Sequence, residues 1–374
     1  MRTLLSFVVI GSLIAAGYFW HVNRQAPAVK PQTPQPPFSY DVDDVTVTAR
    51  DGVTLAGTIT TPQGDGPHPA VILLSVAGPD DRDQSYRGHK SFQVIADALA
   101  RQGVAAARFD DRGAGGSGGD YFAADWNALK EDALAIKNML TADPRIDDMR
   151  IGFAGMSEGG AIAAMAARDA PDAAFVILLS APGLPGQAAL KLQLENTLKA
   201  YGISGEEADR YRVLFTEFIS IVTSDPQAEE TRTRLEAFLK GPGRALIPPY
   251  GFMPKTVEGQ IDLFLGPWYQ SNLHFDPAPV YGALASPVLA IGGGLDPIAP
   301  PAHHLKAIEA LLAQAPTDDF SVERLDGLNH LLQEADTGLP TEYAKLDNTI
   351  SEDALALIAD WLERRGSGRR PGLE

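Results

Sequence analysis

The sequence predicts an α/β protein: a mostly parallel, doubly wound sheet with a helical cap insertion. Three observations point there. From Asp41 onward, short apolar runs alternate with stretches of helical spacing, the pattern of a parallel sheet covered on both faces. At Ala181-Pro182-Gly183 that rhythm breaks, and the chain reads as helices to about Pro279. Strands resume at Pro287, so the helical stretch reads as an insertion into one α/β domain.

The elements follow in order. Arg2 precedes an uncharged apolar run, Leu4 to Trp20, and a Pro-rich stretch, Ala26 to Pro37, comes after it. The run is at the short end for a membrane-spanning helix and long for a signal-peptide core. Residues 1–20 are expected to be an uncleaved anchor, with a cleaved signal as the alternative. The domain would then be exported: held at the inner membrane facing the periplasm, or periplasmic or secreted after cleavage. Residues 21–40 read as a stiff spacer. Val45 to Thr48 and Val53 to Thr60 form a hairpin around Arg50-Asp51-Gly52. Ala70 to Val76 is a continuous apolar strand, Phe92 to Gln102 a helix, Val104 to Phe109 a strand, and Trp126 to Leu140 a helix. The strand Arg150 to Ala154 leads through a turn into a helix at Gly160 to Arg168, and Phe175 to Leu179 is the next strand.

The α/β core therefore reads as 41–183 and 280–366, with the cap at 184–279 and a disordered tail at 367–374. Within the cap, Gln187 to Tyr201, Glu206 to Thr223 and Ala228 to Leu239 read as helices, and Pro242 to Tyr269 as looser chain. The second part of the core holds strands Pro287 to Ile291 and Phe320 to Val322, a loop with His330, and a helix Ser351 to Arg364 with Ser351 as its N-cap.

Composition narrows the function. The chain has 374 residues, 45% of them apolar, a net charge of −17 and no cysteine. An acidic surface repels phosphate backbones, so nucleic acid is not an expected partner. The lack of cysteine removes disulfides, thiolate metal sites and a cysteine nucleophile.

Gly155-Met156-Ser157-Glu158-Gly159 lies between a strand and a helix. A serine at the tip of such a turn has its hydroxyl pushed into the open, and the flanking glycines let strand and helix approach. The same pattern recurs at Gly115-Gly116-Ser117-Gly118-Gly119, where no helix starts after the serine, so that copy reads as a flexible loop. A serine hydroxyl needs a base, and the base needs an orienting carboxylate. On this architecture the chain order is serine, acid, histidine. Asp296 follows the strand Pro287 to Ile291 through a glycine run, in the kind of loop where open α/β sheets gather their sites. Of seven histidines, His330 alone has both the order and a loop after the last strand; His303 and His304 read as solvated residues at a helix start. The oxyanion is expected to take backbone N–H groups from Glu158 and from Ala77, with Gly78 as the fallback.

Two rival constellations are present. Gly113-Ala114-Gly115-Gly116-Ser117-Gly118 fits a dinucleotide-binding fingerprint in letters, but no helix follows at once and an earlier buried strand precedes it. Asp80-Asp81-Arg82-Asp83 reads as a salt-bridged surface loop and not as a cation site.

These residues resemble a known group. Ser157, Asp296 and His330 in this order and context look like the α/β-hydrolase superfamily. Gly78-Pro79 followed by Asp81-Arg82-Asp83, Phe109-Asp110-Asp111-Arg112-Gly113, and Asn329-His330-Leu331-Leu332-Gln333 look like bacterial serine esterases of the dienelactone-hydrolase and prolyl-oligopeptidase neighbourhood. The resemblance spans roughly Val45 to Arg364. It implies carboxylic-ester hydrolysis through a serine acyl-enzyme, with no cofactor and an inserted cap; small acyl esters are the expected substrates, and no metal site is expected. Met156 stands where family members often carry histidine, and Val76-Ala77-Gly78-Pro79 where they often carry Gly-Ser-Gly-Pro. A peptidase or acyltransferase with the same three residues is one alternative, and a non-catalytic binding protein of the cell envelope is another.

Overall fold

The computed structural model describes residues 29–246 and 253–366. The anchor or signal expected at 1–20 and the tail at 367–374 lie outside the described residues. Among the described residues no helix is long and apolar enough to cross a membrane.

An eight-stranded sheet organises the chain. Its strands are β1 (Tyr40–Thr48), β2 (Thr54–Pro62), β3 (His68–Leu74), β6 (Ala105–Phe109), β7 (Ile146–Met156), β8 (Val176–Leu179), β9 (Val288–Gly293) and β10 (Phe320–Leu325). They stand side by side in the order β1-β2-β6-β3-β7-β8-β9-β10. The β1–β2 and β2–β6 pairs are antiparallel and every pair from β6 to β10 is parallel. A small separate hairpin pairs β4 (Ser85–Tyr86) with β5 (His89–Lys90). It is too short to leave a periodic signal in the sequence.

The parallel strands are apolar throughout because both faces are covered. Successive side chains of a strand point to opposite faces. Thus Ala70 and Ile72 join the core that includes helices Trp126–Thr141 and Glu158–Asp169. Val71 and Leu73 join the opposite core, with helices Ser91–Arg101 and Glu352–Gly366.

Between β8 and β9 the chain is helical. Helices Gly186–Ala200, Gly205–Val222 and Glu229–Lys240 match the sequence expectation closely. The stretch expected to be loose is more ordered than expected, with helices at Val257–Leu265 and Pro267–Leu273. Thr256 caps the first of these, accepting the Gly259 N–H at 3.1 Å. Ile261, Phe264, Trp268 and Tyr269 are buried there. Two short helices separated by Gly266-Pro267 are below the length at which periodicity separates helix from loop. Their stability comes from aromatic contacts, such as Phe264 edge-on to Phe218 with ring centroids 5.0 Å apart. The apolar interior of these helices merges with that of one sheet face.

Candidate active site

Strand β7 ends at Met156 and the next helix starts at Glu158, leaving Ser157 alone as the turn. Its backbone has φ 55° and ψ −120°, a strained conformation for a residue with a side chain. Both flanking glycines are required. A Cβ on Gly155 would stand 2.0 Å from the Gly159 carbonyl oxygen. One on Gly159 would stand 2.2 Å from the Leu74 oxygen. The expected close approach of strand and helix is therefore a backbone-to-backbone contact.

His330 and Asp296 arrive from the two neighbouring parallel strands. Asp296 follows β9, and the loop carrying His330 follows β10. The two loops are joined by backbone bonds, Leu295 N–H to the Leu328 carbonyl at 2.8 Å and Gly294 N–H to the Leu325 carbonyl at 2.7 Å. Gly293 permits this, since a Cβ there would meet the Asn329 oxygen at 2.3 Å. Asn329 fixes the turn around His330: its side-chain oxygen accepts the N–H groups of Leu331 and Gln333 at 2.9 and 3.0 Å.

The side chains of the three residues meet. His330 Nδ1 lies 2.7 Å from Asp296 Oδ2, and His330 Nε2 lies 3.1 Å from Ser157 Oγ. Asp296 Oδ1 accepts the N–H groups of Ile298 and Ala299 at 2.8 and 2.9 Å, which leaves Oδ2 to the imidazole. A carboxylate can only accept, so Nδ1 carries the proton and Nε2 is the acceptor facing Ser157.

Ala77 and Glu158 line the same cavity as Ser157. Glu158 opens its helix, so its N–H has no partner within it. The Ala77 N–H donates to no backbone acceptor among the described residues. Gly78, the fallback, directs its N–H at the Tyr121 hydroxyl. Asp111 holds the loop that carries Ala77: one of its oxygens accepts the Ser75 hydroxyl at 2.5 Å and the Asp80 N–H at 2.9 Å. Burial pushes the Asp111 carboxyl up to about 8.

The second glycine-rich serine motif has a different task. Ser117 Oγ accepts the Ala56 N–H at 2.9 Å and donates to the Asp110 carbonyl at 2.7 Å. Gly116 N–H donates to the Asp110 carboxylate at 2.8 Å. Arg82 grips the same carboxylate at 3.1 and 2.7 Å. The loop closes on its own aspartate and not on a phosphate. Arg82 in the Asp80–Asp83 run thereby serves the fold. Among the described residues no three His, Asp or Glu side chains stand where they could hold a metal ion.

The structure corrects one reading and adds two residues. His304 is not solvated: it is 2% exposed, and its Nδ1 accepts the Gly183 N–H at 3.0 Å. Its position at a helix start gives no sign of this, because the covering residues come from distant parts of the chain. Ser180, just past β8, also lines the cavity and has φ 49°. The sequence marks Glu158 only for its backbone N–H. Its carboxyl is buried and accepts the Tyr121 hydroxyl at 2.7 Å and the Trp268 indole N–H at 2.8 Å. It thus ties the elbow to the inserted helices.

Burial raises the Glu158 carboxyl from its usual 4.5 to about 7, against the opposing pull of its hydrogen-bond donors. The native state therefore holds a proton that the unfolded chain releases. That contribution is fully present below pH 4.5 and is lost as pH rises through about 7. It amounts to on the order of 3 kcal/mol. Glu158→Gln keeps the acceptor oxygen and cannot ionise. Thermal melts from pH 4 to pH 9 should show the variant's Tm gaining on that of the wild type between about pH 4.5 and 7 and holding that gain above it. A constant difference would contradict the assignment.

A family model described as serine aminopeptidase, S33, matches residues 88–233. The chain is similar to esterase EstD of Thermotoga maritima, 26% identical over 328 residues, 87% of this chain and 68% of that protein. It is also similar to an uncharacterized protein of Mycobacterium tuberculosis, 31% identical over 179 residues, 46% of this chain and 60% of that protein. Among solved structures, DcsB in complex with its substrate analogue has a TM-score of 0.54 at 20% identity, covering 88% of this chain and all (100%) of that one. The Pyrococcus furiosus esterase Pf2001 has a TM-score of 0.53 at 16% identity, covering 92% and 100%. At those identities the structural likeness speaks for the fold, which is that of the α/β-hydrolases.

Proposed function

We propose that this chain, which has the α/β-hydrolase fold and resembles an esterase in sequence, cleaves esters of small carboxylic acids through an acyl-enzyme on Ser157. Ser157 Oγ attacks the ester carbonyl carbon while its proton passes to His330 Nε2. The Asp296 carboxylate steadies the imidazolium that forms. The N–H groups of Ala77 and Glu158 take the charge that develops on the carbonyl oxygen. His330 then returns the proton to the leaving alkoxide, and the alcohol departs. A water molecule, deprotonated by His330, attacks the acyl carbon, and the imidazolium gives that proton to Ser157 Oγ as the acyl–oxygen bond breaks and the acid leaves.

The observation that supports this reading most is the hydrogen-bond chain from Asp296 through His330 to Ser157, 2.7 and 3.1 Å long. It is reinforced by the cavity above it. That space is lined by Val76, Ala189, Leu190, Ile298 and Leu331 together with polar groups, of which Glu158 alone is acidic. It suits a small uncharged ester.

The family model's description favours a second reading, an aminopeptidase. Such an enzyme has to hold a substrate ammonium, which calls for a carboxylate facing the site. The Glu158 carboxyl is the acidic group of the cavity lining and is already engaged by Tyr121 and Trp268. A panel of p-nitrophenyl esters and aminoacyl p-nitroanilides separates the two. Turnover of acetyl and butanoyl esters with none of the anilides is expected. Faster turnover of the anilides would establish the aminopeptidase instead.

A further inference from the structure

Two buried donors of the cavity take no part in the proposed reaction. His304 and Ser180 are each 2% exposed, and both line the cavity that contains Ser157. His304 Nδ1 accepts a backbone N–H, so in the neutral ring the proton is on Nε2. Burial lowers the His304 pKa to about 4, which keeps the ring neutral under ordinary conditions. The Nε2–H then has no acceptor, and Ser180 Oγ likewise has no partner. Buried donors without partners are rare in folded proteins, because each has lost water and gained nothing.

Their placement gives them a direction. Ser180 follows β8, the strand beside β7 on the side away from β3. The oxyanion loop with Ala77 follows β3. Ser180 thus stands on the side of Ser157 away from the Ala77 loop, and His304, whose helix follows β9, comes from that same side. An ester seated with its carbonyl oxygen toward Ala77 and Glu158 would extend its remaining atoms toward His304 and Ser180. Around them the lining is apolar: Pro182, Leu190, Ile298 and Ala299.

We propose that His304 Nε2–H and Ser180 Oγ–H form a recognition subsite for a neutral hydrogen-bond-accepting oxygen on the substrate, such as an ether, hydroxyl or ketone oxygen a few atoms from the scissile carbonyl. The subsite selects oxygen-bearing esters over plain alkyl esters of the same size. It rests on the ester-hydrolase reading above. A site built around buried donors discriminates strongly against an analogue that leaves them unpaired.

The test compares esters matched in shape. On the acyl side, p-nitrophenyl methoxyacetate is set against p-nitrophenyl butanoate. On the alcohol side, 2-methoxyethyl acetate is set against butyl acetate. Each kcat/KM is divided by the ester's rate of alkaline hydrolysis, which removes intrinsic reactivity. The expected result is a preference of roughly tenfold or more for the oxygen in one of the two pairs, and which pair shows it identifies the part of the substrate that is read. His304→Asn keeps an acceptor near the Gly183 N–H and lacks the Nε2 donor; Ser180→Ala lacks the hydroxyl. The oxygen preference should fall toward unity in either variant, with folding checked by Tm. Should one variant fail to fold, the other carries the test. Hydrolysis of the plain esters with no oxygen preference in the wild type would overturn the subsite and leave the esterase reading intact. A preference that survives in both folded variants would overturn it too. Failure of the wild type to hydrolyse any of the four esters would instead refute the underlying reading.

Discussion

Replacing Ser157 with alanine is expected to lower kcat/KM for p-nitrophenyl acetate by roughly 10⁴-fold or more, with little change in Tm. The size of the loss follows from the covalent route. Without Oγ no acyl-enzyme forms, and what remains is direct attack by water in a site that still offers the Ala77 and Glu158 N–H groups. Oxyanion stabilisation and binding alone leave a residual acceleration of about 10³–10⁴ over water, so the variant should be slow and not inert. Folding should be preserved, because the Ser157 hydroxyl's hydrogen bond is the one to His330. The turn itself depends on Gly155 and Gly159. Steady-state kinetics on enzyme of verified fold checks this. Retention of more than a tenth of the wild-type rate would remove Ser157 from the mechanism.

Asp296→Asn should cost about 10³–10⁴ in kcat at neutral pH by a different route. Oδ1 accepts the Ile298 and Ala299 N–H groups, so an asparagine keeps its carbonyl oxygen there and turns its NH₂ toward His330. The imidazole is then driven to the tautomer with a bare Nδ1 and a protonated Nε2. That Nε2 faces Ser157 as a donor and can no longer take its proton. The shape of the site hardly changes, so KM and Tm should move little while kcat collapses. A loss of less than tenfold would mean that another group orients His330.

Much of this was legible in the sequence, for identifiable reasons. The parallel strands are apolar on both faces, so β3, β6, β7 and β8 announce themselves as continuous runs, and the order of Ser157, Asp296 and His330 follows from which strand each one ends. The residues that were hidden owe their surroundings to long-range contacts. His304 looks like an exposed helix start until Gly183 is brought against it from 121 positions away. Glu158 looks like the first acidic residue of a helix until Trp268 reaches it from the insertion. The helices Val257–Leu265 and Pro267–Leu273 are too short for their periodicity to outweigh the glycines and prolines around them. Ser117 shares the motif of Ser157, and the missing helix after it sets it apart in the sequence; the structure adds the Asp110 carboxylate folded into its glycines, which holds that loop in place.

Catalysis rests on one hydroxyl being made reactive by its neighbours. The direct measurement is labelling with a fluorophosphonate, followed by mass mapping of the modified peptide in the wild type, Ser157→Ala and His330→Ala. A single adduct on Ser157 in the wild type, absent from Ser157→Ala and strongly slowed in His330→Ala, is the predicted result. A folded wild-type protein that takes up no label, or takes it up elsewhere, would contradict it.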